Sequence, residues 1–107
     1  MKLPKHLCSK VPDSHENKGV YIIGSKKHSW FKIGMSCNIS LRLKEIASGI
    51  PFQVEVIRAF PVLLESARFD LETLLHVSFN HKKIKGEWFS LTSEDIEECG
   101  RIASKSQ

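Results

Sequence analysis

Four side chains of this sequence, Tyr21, Lys32, Arg42 and Glu72, are of the types that cleavage of a phosphodiester requires. That reaction needs an activated water, neutralisation of developing negative charge and help for the leaving oxygen. A single divalent ion supplies the second and third, and Mg²⁺ keeps several waters while being held by as few as one or two carboxylates plus substrate phosphates. Glu72 is suited to be the sole protein ligand of Mg²⁺ or Mn²⁺ in that arrangement. The Arg42 guanidinium can fork two donors onto non-bridging phosphate oxygens. Tyr21 or Lys32 can orient or deprotonate the water, given a lowered pKa. Ordinary readings stand beside these. Glu72 lies four residues from both Arg68 and His76, which also describes a solvated helix face with one surface ion pair. Arg42 on a short helix suits solvent, and a strand tyrosine suits the core. Lys32, flanked by Phe31 and Ile33, is less ordinary: a charge in mid-strand needs an open face or a partner.

The elements that must position these residues are legible in outline. Val20 to Ile23 and Trp30 to Met35 are rich in β-branched and aromatic residues, separated by Ser25-Lys26-Lys27-His28-Ser29, and predict a β-hairpin. Val20, Ile22, Phe31 and Ile33 are the apolar set and belong on one face. Side chains alternate, so Tyr21 and Lys32 then share the other face. Asn38 is a good N-cap for a helix from Ile39 to Ser48 with an apolar stripe of Ile39, Leu43, Ile46 and Ala47. Gly49 suits the left-handed position after it, and Pro51 cannot continue the helix. Phe52 to Val62 alternates and then slips around Ile57, predicting a third, bulged strand. Leu64, Ala67, Leu71, Leu74, Leu75 and Val77 give a helical period to about Phe79, with a polar stripe of Glu65, Arg68, Glu72 and His76. Thr92 and Asp95 form a capping box for a last, acidic helix from Ser93 to about Ala103. Residues 1–17, with Pro4, Pro12, Asp13 and Ser14, read as an irregular lead-in to one domain over 18–107.

The 107 residues are 41% hydrophobic, enough for one modest core. The formal charge is +4, from 16 Lys and Arg against 12 Asp and Glu, which favours a polyanionic partner without establishing one. Two basic clusters stand out: Lys26-Lys27-His28 at the expected hairpin tip, and the run from His81 through Lys82, Lys83 and Lys85 to Trp88. The second offers phosphate contacts beside one ring that either stacks on a base or joins the core with Phe89. Cys8, Cys37 and Cys99 are odd in number and contain no CxxC pair, so reduced thiols and a cytoplasmic location are expected. No apolar run approaches the ~20 residues of a membrane span, and Lys2 and Lys5 are followed by no apolar stretch of a secretory signal.

The order Gly19-Val20-Tyr21, Lys32-Ile33-Gly34, Arg42, Glu72 and Gly86-Glu87-Trp88-Phe89 resembles the GIY-YIG nuclease superfamily, and within it a phage-associated branch described as DNA-binding. The likeness runs from about Gly19 to Ile96. It implies an α+β fold, here a small three-stranded antiparallel sheet flanked by helices, and one-metal hydrolysis of DNA. It implies water activation by tyrosine, phosphate contact by Arg42 and metal binding by Glu72. Lys32 stands where the family's second tyrosine would be. Either Tyr21 or Lys32 then does that work, or the chain keeps the fold and grips DNA without efficient cutting. The expected DNA-contact set is Lys26, Lys27, Lys32, Arg42, His76, Lys82, Lys83 and Lys85. A domain this small is expected to cut with little specificity or to use a partner protein for targeting. A protein-interaction domain with an incidentally basic surface is the third reading, and the acidic last helix leaves room for it.

Overall fold

The computed structural model describes residues 17–106, so most of the expected lead-in lies outside the described residues. Strand β1 (Gly19–Ser25) is buried along its whole length. It runs antiparallel between β2 (Trp30–Ser36) and β3 (Glu55–Pro61) and is covered on both faces, which is why it carries no polar alternation. Helix α1 (Ile39–Ser48) lies between β2 and β3 in sequence, and α2 (Glu65–Ser78) follows β3. A single 3-10 turn (Asn80–Lys82) then leads into two very short strands, β4 (Lys83–Lys85) and β5 (Trp88–Ser90), and α3 (Ser93–Ser106) closes the described chain.

The sheet order is β3-β1-β2-β5-β4. The expected three strands are therefore corrected to five. Strands β4 and β5 have three residues each, too few for alternation to show in the sequence. They become strands because β5 pairs with the free edge of β2, Phe89 opposite Phe31 and Trp88 opposite Lys32.

The hairpin has the register that its apolar set predicts. Ile22 lies opposite Ile33 and Gly24 opposite Phe31. Val20, Ile22, Phe31 and Ile33 share one core with Leu71 and Leu75 of α2, Phe89 of β5, and Cys99 and Ala103 of α3. Tyr21 and Ile23 point the other way, into a smaller core under Ile39 and Ile46 of α1. Lys32, opposite Ile23, is on Tyr21's face. The slip in β3 is a bulge: Ile22 faces Arg58 and Ile23 faces Val56, leaving Ile57 as the extra residue.

Local signals hold at most helix ends. Asn38 caps α1 by accepting from the Leu41 N–H at 3.1 Å. Thr92 and Asp95 form the reciprocal capping box, Asp95 N–H to Thr92 Oγ1 at 3.1 Å and Thr92 N–H to Asp95 Oδ2 at 2.9 Å. Gly49 departs from expectation. Its φ is −103°, not left-handed, because its N–H folds back to the Ile46 carbonyl at 3.1 Å and tightens the last turn. Ala47 is exposed.

Helix α2 is turned relative to its expected stripe. Leu71 and Leu75 are buried together with Arg68, whose Nη1 donates to the Val62 carbonyl at 3.4 Å. Leu64, Leu74 and Val77 are exposed. The helix rests on two neighbouring strands, β1 and β2, so only a narrow line of it reaches the core. The turn brings Glu72 and His76 half-inside. Cys99 is a buried free thiol. Among the described residues no helix is long and apolar enough to cross a membrane.

Candidate functional site

The site forms where one strand stops short of its neighbour. Strand β5 pairs with Trp30, Phe31 and Lys32 of β2, while β2 itself continues to Ser36. Just past that step the Ile33 N–H still reaches the Glu87 carbonyl, at 3.2 Å. The Ile33 carbonyl has no strand to pair with, and His76 Nε2 takes it at 2.8 Å. A carbonyl only accepts, so Nε2 is the donor in this bond. Phe89 meets the same ring edge-on, with centroids 5.0 Å apart. His76 is thus held in one orientation, as metal-ligating imidazoles are.

Glu72 lies one turn before His76 on α2. Glu87 follows Gly86, whose φ of +58° makes the tight turn between β4 and β5. Glu72, His76 and Glu87 offer ligand atoms that all lie within 4.8 Å of one another. Two carboxylates and an imidazole are a donor set for Mg²⁺, Mn²⁺ or a softer divalent ion. Burial raises the Glu72 pKa above its ordinary value, and the nearby Glu87 raises it further, against the pull of His76 and Lys32. Two carboxylates held close in partial burial are what a cation would relieve.

The other candidate residues approach from the opposite face of the sheet. Lys32, its side chain 15% exposed, pairs with Glu87 at 2.9 Å, the partner that a mid-strand charge requires. Its ammonium also lies 5.9 Å from the Trp88 ring centroid. Tyr21 lies over Gly34, its cross-strand neighbour, and accepts from Arg42 Nε at 3.3 Å. Burial raises the Tyr21 pKa and outweighs the lowering by Arg42, while Glu87 and Glu72 add to the rise. The phenol is therefore neutral at ordinary pH, opposite to the lowered pKa that proton abstraction wants. Arg42 Nη1 also pairs with Glu45 at 3.1 Å on the exposed side.

Tyr21, Lys32, Arg42 and Glu72 are thus brought to one region, linked by hydrogen bond, ion pair and field. Glu72 is not a lone carboxylate there. His76, expected as a DNA contact, is instead turned inward onto the Ile33 carbonyl beside Glu72. Lys82 is also displaced from that set: it pairs with Asp95 at 2.5 Å, across to the first turn of α3. Lys83 and Lys85 are exposed on the edge strand β4, and Lys26 and Lys27 are exposed at the hairpin tip. Glu87 was missed as a candidate ligand. Two signals pointed to it: a carboxylate directly after a turn glycine, and the partner that Lys32 lacked.

If Glu72, His76 and Glu87 hold a divalent ion, stability reports it: Mn²⁺ at ten times its Kd should stabilise the folded state by about 1.4 kcal/mol and raise Tm by roughly 6–11 °C in a domain of this size. Glu72→Gln abolishes that rise. The pH dependence follows from the raised Glu72 pKa. Its contribution to stability is full below the ordinary carboxylate range and is lost as pH rises through the raised value. Glu72→Gln without metal therefore melts no lower than wild type at neutral pH, and the Mn²⁺ shift in wild type shrinks as protons compete below that window. Equal Mn²⁺ shifts in both proteins, read by calorimetry, would remove Glu72 from the ligand set.

Fold and site together define a small α+β domain with two carboxylates and an imidazole gathered at a step in its sheet, near an arginine, a lysine and a tyrosine. The T5orf172 domain family model matches residues 18–104, and the chain belongs to that family. This corrects the likeness drawn from the motifs: the match is to the T5orf172 domain, not to a GIY-YIG nuclease family. Short motifs shared in order were too weak to separate the two. The T5orf172 domain is a phage-associated, nuclease-like or DNA-binding domain, and the function is accordingly DNA-related. No curated protein and no solved structure shows significant similarity to the chain.

Proposed function

We propose that this domain hydrolyses phosphodiester bonds of DNA with one divalent ion, Mg²⁺ or Mn²⁺. The observation that carries this reading is the convergence of Glu72, His76 and Glu87 within 4.8 Å, beside Lys32. Glu72, Glu87 and His76 Nδ1 would hold the ion. When bound, such an ion neutralises charge on the phosphate and acidifies a water.

The chain's own residues supply the rest. Lys32 holds Glu87 in place and carries positive charge to the mouth of the site. Tyr21, a neutral phenol, orients the attacking water; the proton that water loses passes to solvent, which also returns one to the leaving oxygen. Arg42 is positioned by Tyr21 and contacts the scissile phosphate. Its exposed pair with Glu45 is worth about 0–1 kcal/mol, so a bidentate phosphate displaces it readily. Lys26, Lys27, Lys83 and Lys85 hold the flanking backbone, which makes affinity salt-sensitive and tolerant of sequence.

The test is supercoiled plasmid at low salt with Mg²⁺, Mn²⁺ or chelator, beside Arg42→Ala. Nicking that needs metal, and that Arg42→Ala slows by about 10²-fold or more, is the expected result. Intact plasmid in every lane, with a mobility shift that Arg42→Ala weakens, would overturn cleavage and leave DNA binding on the same surface.

A further inference from the structure

Beyond Lys32, on the same face of the sheet, four rings come together that the cleavage chemistry does not use. His28 stacks on Trp30 with centroids 4.9 Å apart, Trp30 meets Phe52 edge-on at 5.5 Å, and Phe52 meets Trp88 edge-on at 6.0 Å. His28 is held in place by a 2.9 Å hydrogen bond to Ser25 Oγ. Trp30, Ile50, Phe52, Ile84, Lys85 and Trp88 line a pocket of about 250 Å³ among these rings. Trp30 is 41% exposed and Ile84 51%, a large apolar exposure for so small a domain.

The charge around the pocket is one-sided. Its one charged lining residue is Lys85. Phe52 is also shared with a wider concavity of about 820 Å³ whose charged lining residues are Lys26, Lys27 and Glu55, with His28 beside them. Among the described residues, Lys26, Lys27 and Lys85 have no carboxylate partner. Lys32 ties this surface to the candidate metal ligands, since its ammonium sits over Trp88 and bonds Glu87.

An aromatic slot rimmed by unpaired lysines fits a flat, apolar-faced ring attached to an anionic backbone. The volume suits one such ring system and not a stacked pair. A base inside a duplex offers no free face and must first leave the stack, at a cost of a few kcal/mol. We propose that this pocket takes one unpaired nucleobase, so that the preferred substrate is single-stranded or locally opened DNA, with the base stacked on Trp30 and Trp88 next to the scissile phosphate. The proposal rests on the DNA-cleaving reading above and names its substrate class.

The test is fluorescence anisotropy in chelator, where no cutting occurs, with a labelled short oligothymidylate and a blunt duplex of equal length. The single strand binds about tenfold or more tighter than the duplex. Trp30→Ala removes that advantage, because one base–aromatic stack is worth roughly tenfold in affinity or more. Trp30→Phe restores most of it, and one abasic position in the oligonucleotide mimics part of the loss. Melting curves confirm that Trp30→Ala, a surface change at the end of β2, is folded. Equal affinity for the two DNAs, or a Trp30→Ala protein that still prefers the single strand, overturns the base pocket. The cleavage reading fails separately. Mn²⁺-dependent nicking with no single-strand preference keeps cleavage and sinks the pocket, whereas a Trp30-dependent preference with no nicking keeps the pocket and sinks cleavage.

Discussion

Glu72→Ala is expected to stop the proposed metal-dependent cleavage, lowering the rate by at least about 10³-fold, or roughly 4 kcal/mol of transition-state stabilisation, while DNA affinity in chelator stays within about twofold. The two halves of this result have different physical origins. Glu72 is one of three groups whose ligand atoms converge within 4.8 Å, so its loss removes a charged ligand from a small set. In the proposed reading DNA is held by the exposed cations Lys26, Lys27, Lys83 and Lys85, none of which pairs with Glu72. Burial and Glu87 disfavour the Glu72 carboxylate in the folded state, so loss of its charge is expected not to weaken the fold without metal, and a melting curve of Glu72→Ala checks this. Glu87→Gln is expected to weaken cleavage as well, and it also frees Lys32 from its 2.9 Å pair. Full-rate cleavage by Glu72→Ala, measured in single-turnover plasmid assays with Mn²⁺, would show that the ion is held elsewhere or not required.

Gly34→Ala is expected to be strongly destabilising. A Cβ at Gly34 would lie 2.4 Å from Tyr21 Oη and 2.6 Å from Cζ. The Tyr21 ring cannot yield easily: it is 1% exposed and packed among Ile23, Ile39 and Ile46. Overpacking of this kind costs about 3 kcal/mol, which lowers Tm by roughly 12–24 °C. The ring must also move off the 3.3 Å bond from Arg42, so the surviving folded fraction should cleave poorly. Tyr21→Leu removes the opposing atoms, and in that background Gly34→Ala should cost less than about 1 kcal/mol. A double-mutant cycle by thermal melting decides the matter. Gly34→Ala melting within a few degrees of wild type would mean that Gly34 is not required by the Tyr21 ring.

The features legible in the chain were those written in near neighbours. Alternation over Val20–Ile23 and Trp30–Met35 set the hairpin register, and with it the shared face of Tyr21 and Lys32. A break in alternation located the bulge at Ile57. Asn38, and Thr92 with Asp95, announced two helix starts by side-chain chemistry that acts within three residues. Gly49 was misread because either hand of backbone ends a helix, and the hydrogen bond back to Ile46 selects between them.

The site itself depends on contacts that no local pattern records. Helix α2 has apolar residues on more than one side, and its orientation was settled by which strip meets β1 and β2. That orientation brought Glu72 and His76 inward and left Leu64, Leu74 and Val77 in solvent. Lys82 was read as a DNA contact and Asp95 as half of a capping box; they are thirteen residues apart, yet they pair. The motifs pointed to a related-looking family for the same reason: short matches carry residue types but not the packing around them. Residue types and alternation were enough for the hairpin and for the face that Tyr21 and Lys32 share. The metal-capable trio arises because β5 ends one residue short of Ile33, which exposes a carbonyl to His76, 43 residues away, and sets Glu87 beside Glu72. Such proximity is a property of chain topology, because separations along the sequence do not report distances across a sheet.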